Sequence, residues 1–397
     1  MPLWLPTLIL IPLVSVLVVD SALRLLFLIV RLTRRPDHLS VHQAAPPPSF
    51  ALVIPAHNEA SLIGRAMRHI RRLEYARERY QVFVVADNCT DDTAMVAAAE
   101  GAQCLERWDP ANPGKGKALS WFSHQARELL QSFDAVVILD ADSRVDPLFL
   151  NGLADAFTPE NHAVQGYISP IAADRSPMST LAAYSEWLDQ EIDRKAKALL
   201  NWPVSFKGKG MALQPSLLSG LIPRLLTKAE DAELSLLFAR EGFCRFVPAA
   251  IVYDGTPSDI AKVATQRARW LQGQWGVWKH HLPEILHLLG RGDMGQRALV
   301  FSVLVKPKAV VFCLKALLLC AALAVPFAPA SVGTIVAAAL VGAVLVDVSY
   351  YIVGLAFVAA PRDYARALLT APVYVIMWLW GILIALVSKE PWPRGRE

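Results

Sequence analysis

The chain has 397 residues, of which 54% are apolar, and it combines a positive mean hydropathy with a formal net charge of only +4. This composition is too apolar for an ordinary soluble enzyme and indicates one soluble domain accompanied by membrane segments. The slight charge, without a stripe of Lys and Arg, argues against a nucleic-acid-binding protein. Five cysteines without a Cys-x-x-Cys pair indicate neither a disulfide framework nor a zinc site.

The N-terminal stretch is apolar over residues 3–19 and again over residues 25–30. No basic segment precedes it and no cleavage site of small residues follows, so the pattern predicts a retained membrane anchor over residues 1–31. Arg31, Arg34 and Arg35 come next, and such residues favour the cytoplasmic side. Residues 32–49 include three consecutive prolines and predict a stiff linker before a domain in the cytoplasm.

Residues 50–256 alternate between strand and helix patterns. Apolar runs predict strands at 51–55, 81–86, 135–140 and 163–168, with a short strand near Cys104. Helices are predicted from about residue 59, from about residue 117 and over residues 178–200. This alternation is typical of an α/β domain with a mostly parallel sheet and helices on both faces.

Two carboxylates follow the most apolar of these runs, at Asp140 and Asp142. Their i, i+2 spacing in an extended chain places both side chains on one side, at the edge where open α/β sheets bind ligands. Mg²⁺ prefers one or two carboxylates together with water and substrate phosphate oxygens. The pair therefore indicates a site for a metal and a diphosphate, and the alternative is that it begins a solvated turn before Pro147.

The C-terminal part is apolar and predicted to be helical. Leu271, Trp275, Trp278 and Leu282 share one helix face within residues 257–296, which is typical of an amphipathic helix at a membrane interface. A packed core helix is the alternative. Within residues 297–388, the runs 309–328, 333–359 and 368–387 are each long enough to span a bilayer, and residues 389–397 form a tail. Charge asymmetry places Ala330 outside and predicts a multi-pass protein of the cell membrane with a cytoplasmic catalytic domain.

Five motifs in this order resemble the membrane-embedded family 2 glycosyltransferases, the group of cellulose, chitin and hyaluronan synthases and ceramide glucosyltransferases. They are Ala86-Asp87-Asn88 with Asp91, Lys115-Gly116-Lys117-Ala118-Leu119, Asp140-Ala141-Asp142, Glu230-Asp231 and Gln266-Arg267-Ala268-Arg269-Trp270. The resemblance extends from residue 53 to the last apolar run. It implies a Rossmann-like GT-A fold and inverting transfer from a nucleotide-activated sugar.

The first three motifs supply side chains suited to a sugar nucleotide and its metal ion. Asp87 is placed to accept a hydrogen bond from a nucleobase, and Asp91 is close enough to assist, although Asp91 can equally cap a helix. Lys115, in a Gly-flanked loop, can reach a phosphate, and its alternative is a solvated loop lysine. We expect Asp140 near the ribose or diphosphate, and Asp142 to hold Mg²⁺ or Mn²⁺.

The remaining motifs belong to the transfer step. The resemblance implies that Asp231 is the general base on the acceptor hydroxyl, with Glu230 beside it, although Ala229 stands where the family has Thr. The alternative is that both acids favour a helix N-terminus. Gly208 and Gly210 resemble the loop beneath the transferred sugar.

Gln266, Arg269 and Trp270 are spaced i, i+3, i+4 and share one helix face. Arg269 can neutralise the departing diphosphate, and Trp270 offers a flat platform for an acceptor. We therefore expect these three residues on the diphosphate and acceptor side of the site.

These observations predict a membrane glycosyltransferase that moves a sugar from a UDP-sugar to a lipid or a growing polysaccharide. Two alternatives within the same fold are a processive polysaccharide synthase that works with other membrane subunits, and an inactive scaffold or translocation subunit. A nucleotidyltransferase would be expected to carry a Gly-rich basic loop after the first strand. Residues 56–59 read Ala-His-Asn-Glu, which argues against that class.

Overall fold

The computed structural model describes residues 5–34, 46–158, 161–172, 176–256, 260–306, 308–324, 330–358 and 360–387. Most of the predicted linker and the C-terminal tail therefore lie outside the described residues.

Among the described residues, eight strands form one sheet. They are β1 (Phe50–Ala56), β2 (Tyr80–Asp87), β3 (Gln103–Arg107), β4 (Ala135–Ile138), β5 (Arg144–Val145), β6 (Ala163–Ala172), β7 (Met211–Leu213) and β8 (Cys244–Thr256). Their order across the sheet is β3-β2-β1-β4-β7-β6-β8-β5. The half from β3 to β4 is parallel, as predicted, whereas β7 runs antiparallel to both of its neighbours. The α/β prediction is confirmed, with a sheet that is mixed in its second half.

The helices of the N-terminal and sheet-forming part precede residue 240. They are α1 (Leu5–Thr33), α2 (Ala60–Ile70), α3 (Thr93–Ala99), α4 (Lys115–Gln125), α5 (Arg127–Leu130), α6 (Phe149–Ala156), α7 (Pro177–Leu188), α8 (Lys195–Leu199), α9 (Pro215–Leu221) and α10 (Glu230–Phe238). A π-helical segment, Asp189–Arg194, joins α7 to α8, so the long helix predicted over residues 178–200 is present but wider in its middle turns.

The helices that follow the sheet are mostly apolar or amphipathic. They are α11 (Ile260–His280), α12 (Leu282–Arg291), α13 (Met294–Leu304), α14 (Lys308–Ala324), α15 (Ala330–Gly354), α16 (Pro361–Leu368) and α17 (Ala371–Val387). The segment predicted as one interface helix is thus divided into α11 and α12 at His281, two residues before Pro283. Proline fits the first turn of a new helix but disrupts the interior of an old one.

The parallel half of the sheet is covered on both faces. Leu52 and Ile54 of β1 pack into one apolar cluster with α2 and α6, while Ala51 and Val53 pack into the opposite cluster with α4. Successive side chains of a strand point to opposite faces, so a continuous apolar run requires this double cover. The arrangement directs the carboxyl ends of β1, β2 and β4 to one open edge of the sheet.

Among the described residues, two helical stretches are long and apolar enough to cross a bilayer, Leu10–Thr33 and Val332–Phe357. The other two predicted spans are shorter helices, since α14 and α17 have 17 residues each. That number corresponds to about 26 Å at the rise of an α-helix, slightly less than the hydrocarbon core of a typical bilayer.

The apolar helices and the sheet-forming part share one core. Phe27 of α1, Tyr184 of α7 and Tyr350 of α15 lie in a single buried cluster. Polar contacts reinforce it at Asp193 of the π-helical segment, whose carboxylate accepts hydrogen bonds from Tyr350 Oη at 2.8 Å and from Lys308 Nζ at 2.5 Å. The two parts of the chain are therefore joined by packing and by ion pairing.

Four charged side chains are buried between α1, α14 and α15. Lys315 Nζ lies 2.9 Å from Asp20 Oδ2 and 2.8 Å from Asp347 Oδ2, and it is fully buried. Arg24 lies 3.0 Å from Asp20 and 3.4 Å from Asp347. The two positive and two negative charges balance one another, which offsets much of the desolvation cost of placing each in the interior.

Replacing Lys315 by Met is expected to destabilise the fold. The change leaves the carboxylates of Asp20 and Asp347 with only the Arg24 guanidinium to balance them. An uncompensated buried charge lowers the free energy of unfolding by about 3 kcal/mol or more. Thermal unfolding of the purified protein in detergent should show a midpoint lower by about 5 °C or more. Leu317→Met is the matched control, because Leu317 lies on the same helix and its side chain is 69% exposed. Equal midpoints for both variants would contradict a stabilising role of the cluster.

Candidate functional site

Asp140 lies at the open edge of the sheet, two residues after β4 ends at Ile138. Its Oδ1 accepts a hydrogen bond from Lys115 Nζ at 2.5 Å, and its Oδ2 lies 3.6 Å from Lys209 Nζ. Its backbone N–H donates to Ser143 Oγ at 2.9 Å, which fixes the turn. Asp142 lies in the same turn with its side chain exposed. The two carboxylates therefore share one edge, with Asp140 held by cations and Asp142 directed to solvent.

Lys115 is the first residue of α4, and its ammonium bridges two segments that are distant in sequence. It donates to Asp140 and to the carbonyl oxygen of Gly208, each at 2.5 Å. Burial alone would lower the pKa of Lys115, but the nearby carboxylates of Asp140 and Glu230 raise it above its ordinary value. The side chain is 21% exposed and stays charged, so it lies within the site and is not a solvated loop lysine.

The loop Gly208-Lys209-Gly210 enters the site just before β7. Gly208 and Gly210 have φ values of +75° and +63°, a left-handed conformation that side chains with a Cβ rarely adopt. A Cβ at Gly208 would lie 3.4 Å from Lys115 Nζ and 3.8 Å from Asp231 Cβ. Gly208 therefore lies close to both Lys115 and Asp231.

Glu230 and Asp231 open α10, as their position before an apolar run predicts. Asp231 is half-buried, and its Oδ1 accepts the backbone N–H of Ala232 at 2.8 Å. Burial raises the pKa of Glu230, and the charge of Asp231 adds to this effect although Lys115 opposes it. Glu230 acts electrostatically on Lys115, and Asp231 lies near Gly208, so both acids are close to the contact between Lys115 and Gly208.

A buried pair that the sequence analysis missed supports this helix start. Glu233 is fully buried, and its carboxylate accepts hydrogen bonds from the backbone N–H groups of Leu226 and Thr227, both at 2.8 Å. His281 Nε2 lies 2.6 Å from Glu233 Oε1. The pair therefore connects the loop before Glu230 to the break between α11 and α12.

Helix α11 carries Gln266, Arg269 and Trp270 and packs closely against the segment before Glu230. A Cβ at Gly273 would lie 2.7 Å from Ala229 Cβ, so only glycine allows this approach. Trp270 is 51% exposed. The side chains of Gln266 and Arg269 lie outside the described part of the structure, and their roles stay predictions.

Asp87 ends β2 and is buried among donors. Its Oδ1 accepts hydrogen bonds from Arg107 Nη1 at 2.5 Å and Asn88 Nδ2 at 2.9 Å, and its Oδ2 accepts the Gly114 N–H at 3.2 Å. Arg107, which the sequence analysis missed, is the register partner of Asp87 on β3. Arg107 also lines an open groove of about 690 Å³ together with Trp108. Asp87 thus connects the end of β2 to the start of α4.

Asp91 ties two helix starts together. Its carboxylate accepts hydrogen bonds from the backbone and hydroxyl of Thr93, at 3.0 and 2.5 Å, and from the Ala60 N–H at 3.1 Å. Burial would raise the pKa of Asp91, but these hydrogen bonds outweigh it and lower the pKa below its ordinary value. These contacts agree with the capping alternative, and a contact of Asp91 with a nucleobase stays a prediction.

Asp140 and Asp142 form an edge of the site, here called the acidic edge. It is suited to a divalent cation that takes some of its ligands from a bound substrate. Within the described residues, no three His, Cys, Asp or Glu side chains are grouped closely enough to hold a metal ion by themselves. Mg²⁺ and Mn²⁺ sites at nucleotide diphosphates commonly need only one or two protein carboxylates, the other ligands being phosphate oxygens and water. The exposed carboxylate of Asp142 beside Asp140 fits that requirement.

Sequence comparison relates this chain to known protein families. The profile described as "Glycosyl transferase family group 2" matches residues 135–388, and the profile described as "Glycosyl transferase family 2" matches residues 51–215. "Probable glycosyltransferase YdaM" from Bacillus subtilis is 27% identical over 61% of this chain and 59% of its own length. "Beta-monoglucosyldiacylglycerol synthase" from Trichormus variabilis is 24% identical over 60% of this chain and 52% of its own length. The matches thus span little more than half of these relatives.

A solved structure has the same fold. It is the mannosyltransferase PcManGT from Pyrobaculum calidifontis in complex with GDP-Man and Mn²⁺, with a TM-score of 0.56 and 18% identity, and the match covers 95% of this chain and 100% of that one. This likeness confirms the GT-A fold, and the first profile matches well over half of the chain. The chain therefore belongs to family 2 of the glycosyltransferases.

Proposed function

We propose that the enzyme transfers a sugar, with inversion, from a UDP-sugar to a lipid acceptor at the cytoplasmic face of a membrane. The observation that supports the proposal is that Gly208 lies close to both Lys115 and Asp231, since a Cβ built there would be 3.4 Å from Lys115 Nζ and 3.8 Å from Asp231 Cβ. Inversion by single displacement needs a base and a leaving diphosphate on opposite sides of the anomeric carbon. We assign Asp231 to the acceptor side and Lys115 with Asp140 to the diphosphate side.

In the proposed step, Asp231 accepts the proton of an acceptor hydroxyl while the hydroxyl oxygen attacks the anomeric carbon. The bond from that carbon to the diphosphate oxygen breaks, and UDP carries away the electron pair. Lys115, and Arg269 from α11, offset the charge that develops on the diphosphate. Asp142, with Asp140 beside it, would hold Mg²⁺ or Mn²⁺, which supplies further positive charge to the leaving group.

A lipid acceptor is supported by the surface next to the site. Trp275, Trp278, Leu282 and Leu286 of α11 and α12 are each more than two-fifths exposed. Amphipathic helices with exposed aromatic side chains are typical of membrane interfaces. The relative from Trichormus variabilis is named as the synthase of a glycolipid, monoglucosyldiacylglycerol, and by analogy we propose a lipid hydroxyl as the acceptor.

We further propose that residues 1–31 anchor the chain, that residues 50–256 form the catalytic domain, and that α14, α15 and α17 complete a multi-pass arrangement with Ala330 outside the cell. The buried charge cluster between α1, α14 and α15 supports it, because charged groups within a membrane are paired in a bundle interior. A cysteine introduced at position 330, in a background without native cysteines, should react with a membrane-impermeant reagent in intact cells. Labelling only after permeabilisation would contradict this arrangement.

The activity is tested by offering the detergent-purified enzyme a panel of UDP- and GDP-sugars with defined membrane lipids and identifying products by mass. We expect one donor to add one sugar to a neutral lipid. A ladder of products would favour a processive synthase, and absence of any product with every donor would favour a scaffold role.

A further inference from the structure

Lys209 places a second ammonium group at the acidic edge. Its Nζ lies 2.5 Å from Asp254 Oδ1 on β8 and 3.6 Å from Asp140 Oδ2. The side chain is 11% exposed. Burial would lower its pKa, but Asp140, Asp254 and Asp142 together raise it above the ordinary value. Three carboxylates from two parts of the fold therefore act on one buried cation.

The backbone holds Lys209 in this position. The Nε2 of Gln165 donates to the carbonyl oxygen of Lys209 at 2.9 Å, and its Oε1 accepts the N–H of Lys207 at 2.9 Å. Gln165 is fully buried on β6. Its amide therefore fixes the loop on both sides of Gly208, and the left-handed Gly208 and Gly210 flank Lys209. Gln165 thus holds the backbone from which the Lys209 side chain extends, and Asp254 pairs with its ammonium.

An ammonium next to metal-binding carboxylates opposes the entry of a divalent cation. It repels the cation directly, and it already neutralises part of the carboxylate charge that would attract it. A bound diphosphate changes this balance, because its negative charges offset the ammonium and its oxygens complete the ligand set of the metal.

We propose that Lys209, held by Asp254, is a built-in counter-cation that makes metal binding depend on the donor diphosphate. The proposal rests on the proposed metal-dependent transfer and adds an order of events. The free enzyme binds the divalent cation weakly, and the cation and the nucleotide bind together. Lys209 is a positioning residue in this scheme, since it acts through the carboxylates of the metal site.

The test measures Mn²⁺ binding to the purified full chain, by electron paramagnetic resonance of free Mn²⁺ and by calorimetry, with and without UDP. In the wild-type protein, UDP should strengthen Mn²⁺ binding by about tenfold or more. For any unit charge and divalent cation separated by about 5 Å, Coulomb's law in a medium as polar as water gives an effect on binding on the order of tenfold. Lys209→Met should therefore bind Mn²⁺ about tenfold more tightly without UDP, and UDP should strengthen its binding less.

Lys279→Met is the matched control, because it removes an exposed lysine of α11 that belongs to none of the site motifs. It should leave Mn²⁺ binding at the wild-type value. Lys209→Gln, which keeps a polar contact to Asp254, should repeat the gain if the methionine variant is poorly folded. An unchanged Mn²⁺ affinity in both Lys209 variants, with normal UDP-dependent binding in wild type, would overturn this proposal alone. Absence of Mn²⁺ binding in wild type with UDP would overturn the metal site as well.

Discussion

Replacing Asp231 by Asn is expected to lower the turnover number by about 10²–10⁴-fold, the contribution of a positioned general base. The amide keeps the size of the side chain and can still accept the Ala232 N–H, so α10 should start in the same place. It cannot accept a proton from the acceptor hydroxyl. UDP affinity should barely change, because in the proposed mechanism the diphosphate is bound by Lys115 and the metal ion and not by Asp231. Initial transfer rates and calorimetric UDP binding measure the two effects separately.

Glu230→Gln is the matched control for this variant. Glutamine keeps the size of Glu230, and losing an acid in the first turn of α10 should cost about 1 kcal/mol or less of stability. We expect most of the activity to remain. Equal rates for Asp231→Asn and wild type, or a total loss found only in Glu230→Gln, would assign the base to another residue.

Replacing Asp142 by Asn is expected to abolish measurable transfer. A metal ion that stabilises a leaving diphosphate contributes several kcal/mol, which corresponds to about a thousandfold or more in rate. The exposed position of Asp142 means that the fold should not depend on it, so the yield and the unfolding midpoint should match wild type. EDTA should produce the same loss in the wild-type enzyme, and Mn²⁺ should restore it there but not in the variant. Full activity of Asp142→Asn in EDTA would exclude the metal from the reaction.

The parallel half of the sheet could be predicted because each of its strands is recognisable from the residues of that strand alone. The runs that form β1, β2 and β4 are continuous and apolar, and strands covered on both faces must be so. The antiparallel insertion of β7 could not be predicted, since three residues carry no periodicity and their pairing with β4 and β6 is long-range. The strand order of the second half was missed for the same reason.

The same distinction between local patterns and long-range contacts applies to the candidate site. Asp140, Asp142, Glu230 and Asp231 stand in short motifs at the ends of elements, where pattern and chemistry coincide. Lys209 is 45 residues from Asp254, and Glu233 is 48 residues from His281. Partners at such distances meet only through tertiary folding. Arg107 could have been identified from the sequence. It is the last residue of β3, which pairs with β2, and β2 ends at Asp87.

The junction at Asp193 bears on how this enzyme can be produced. A fragment without α14 and α15 would lose Lys308 and Tyr350, which both donate hydrogen bonds to the Asp193 carboxylate. It would also uncover the apolar cluster around Tyr184 and Leu188. Such a fragment would have weakened support for a buried acid beside a newly exposed apolar surface, and exposed apolar surface favours aggregation. Production in bacteria or in cell-free extracts should therefore start from the full chain with detergent or lipid present, and not from the isolated sheet-forming part.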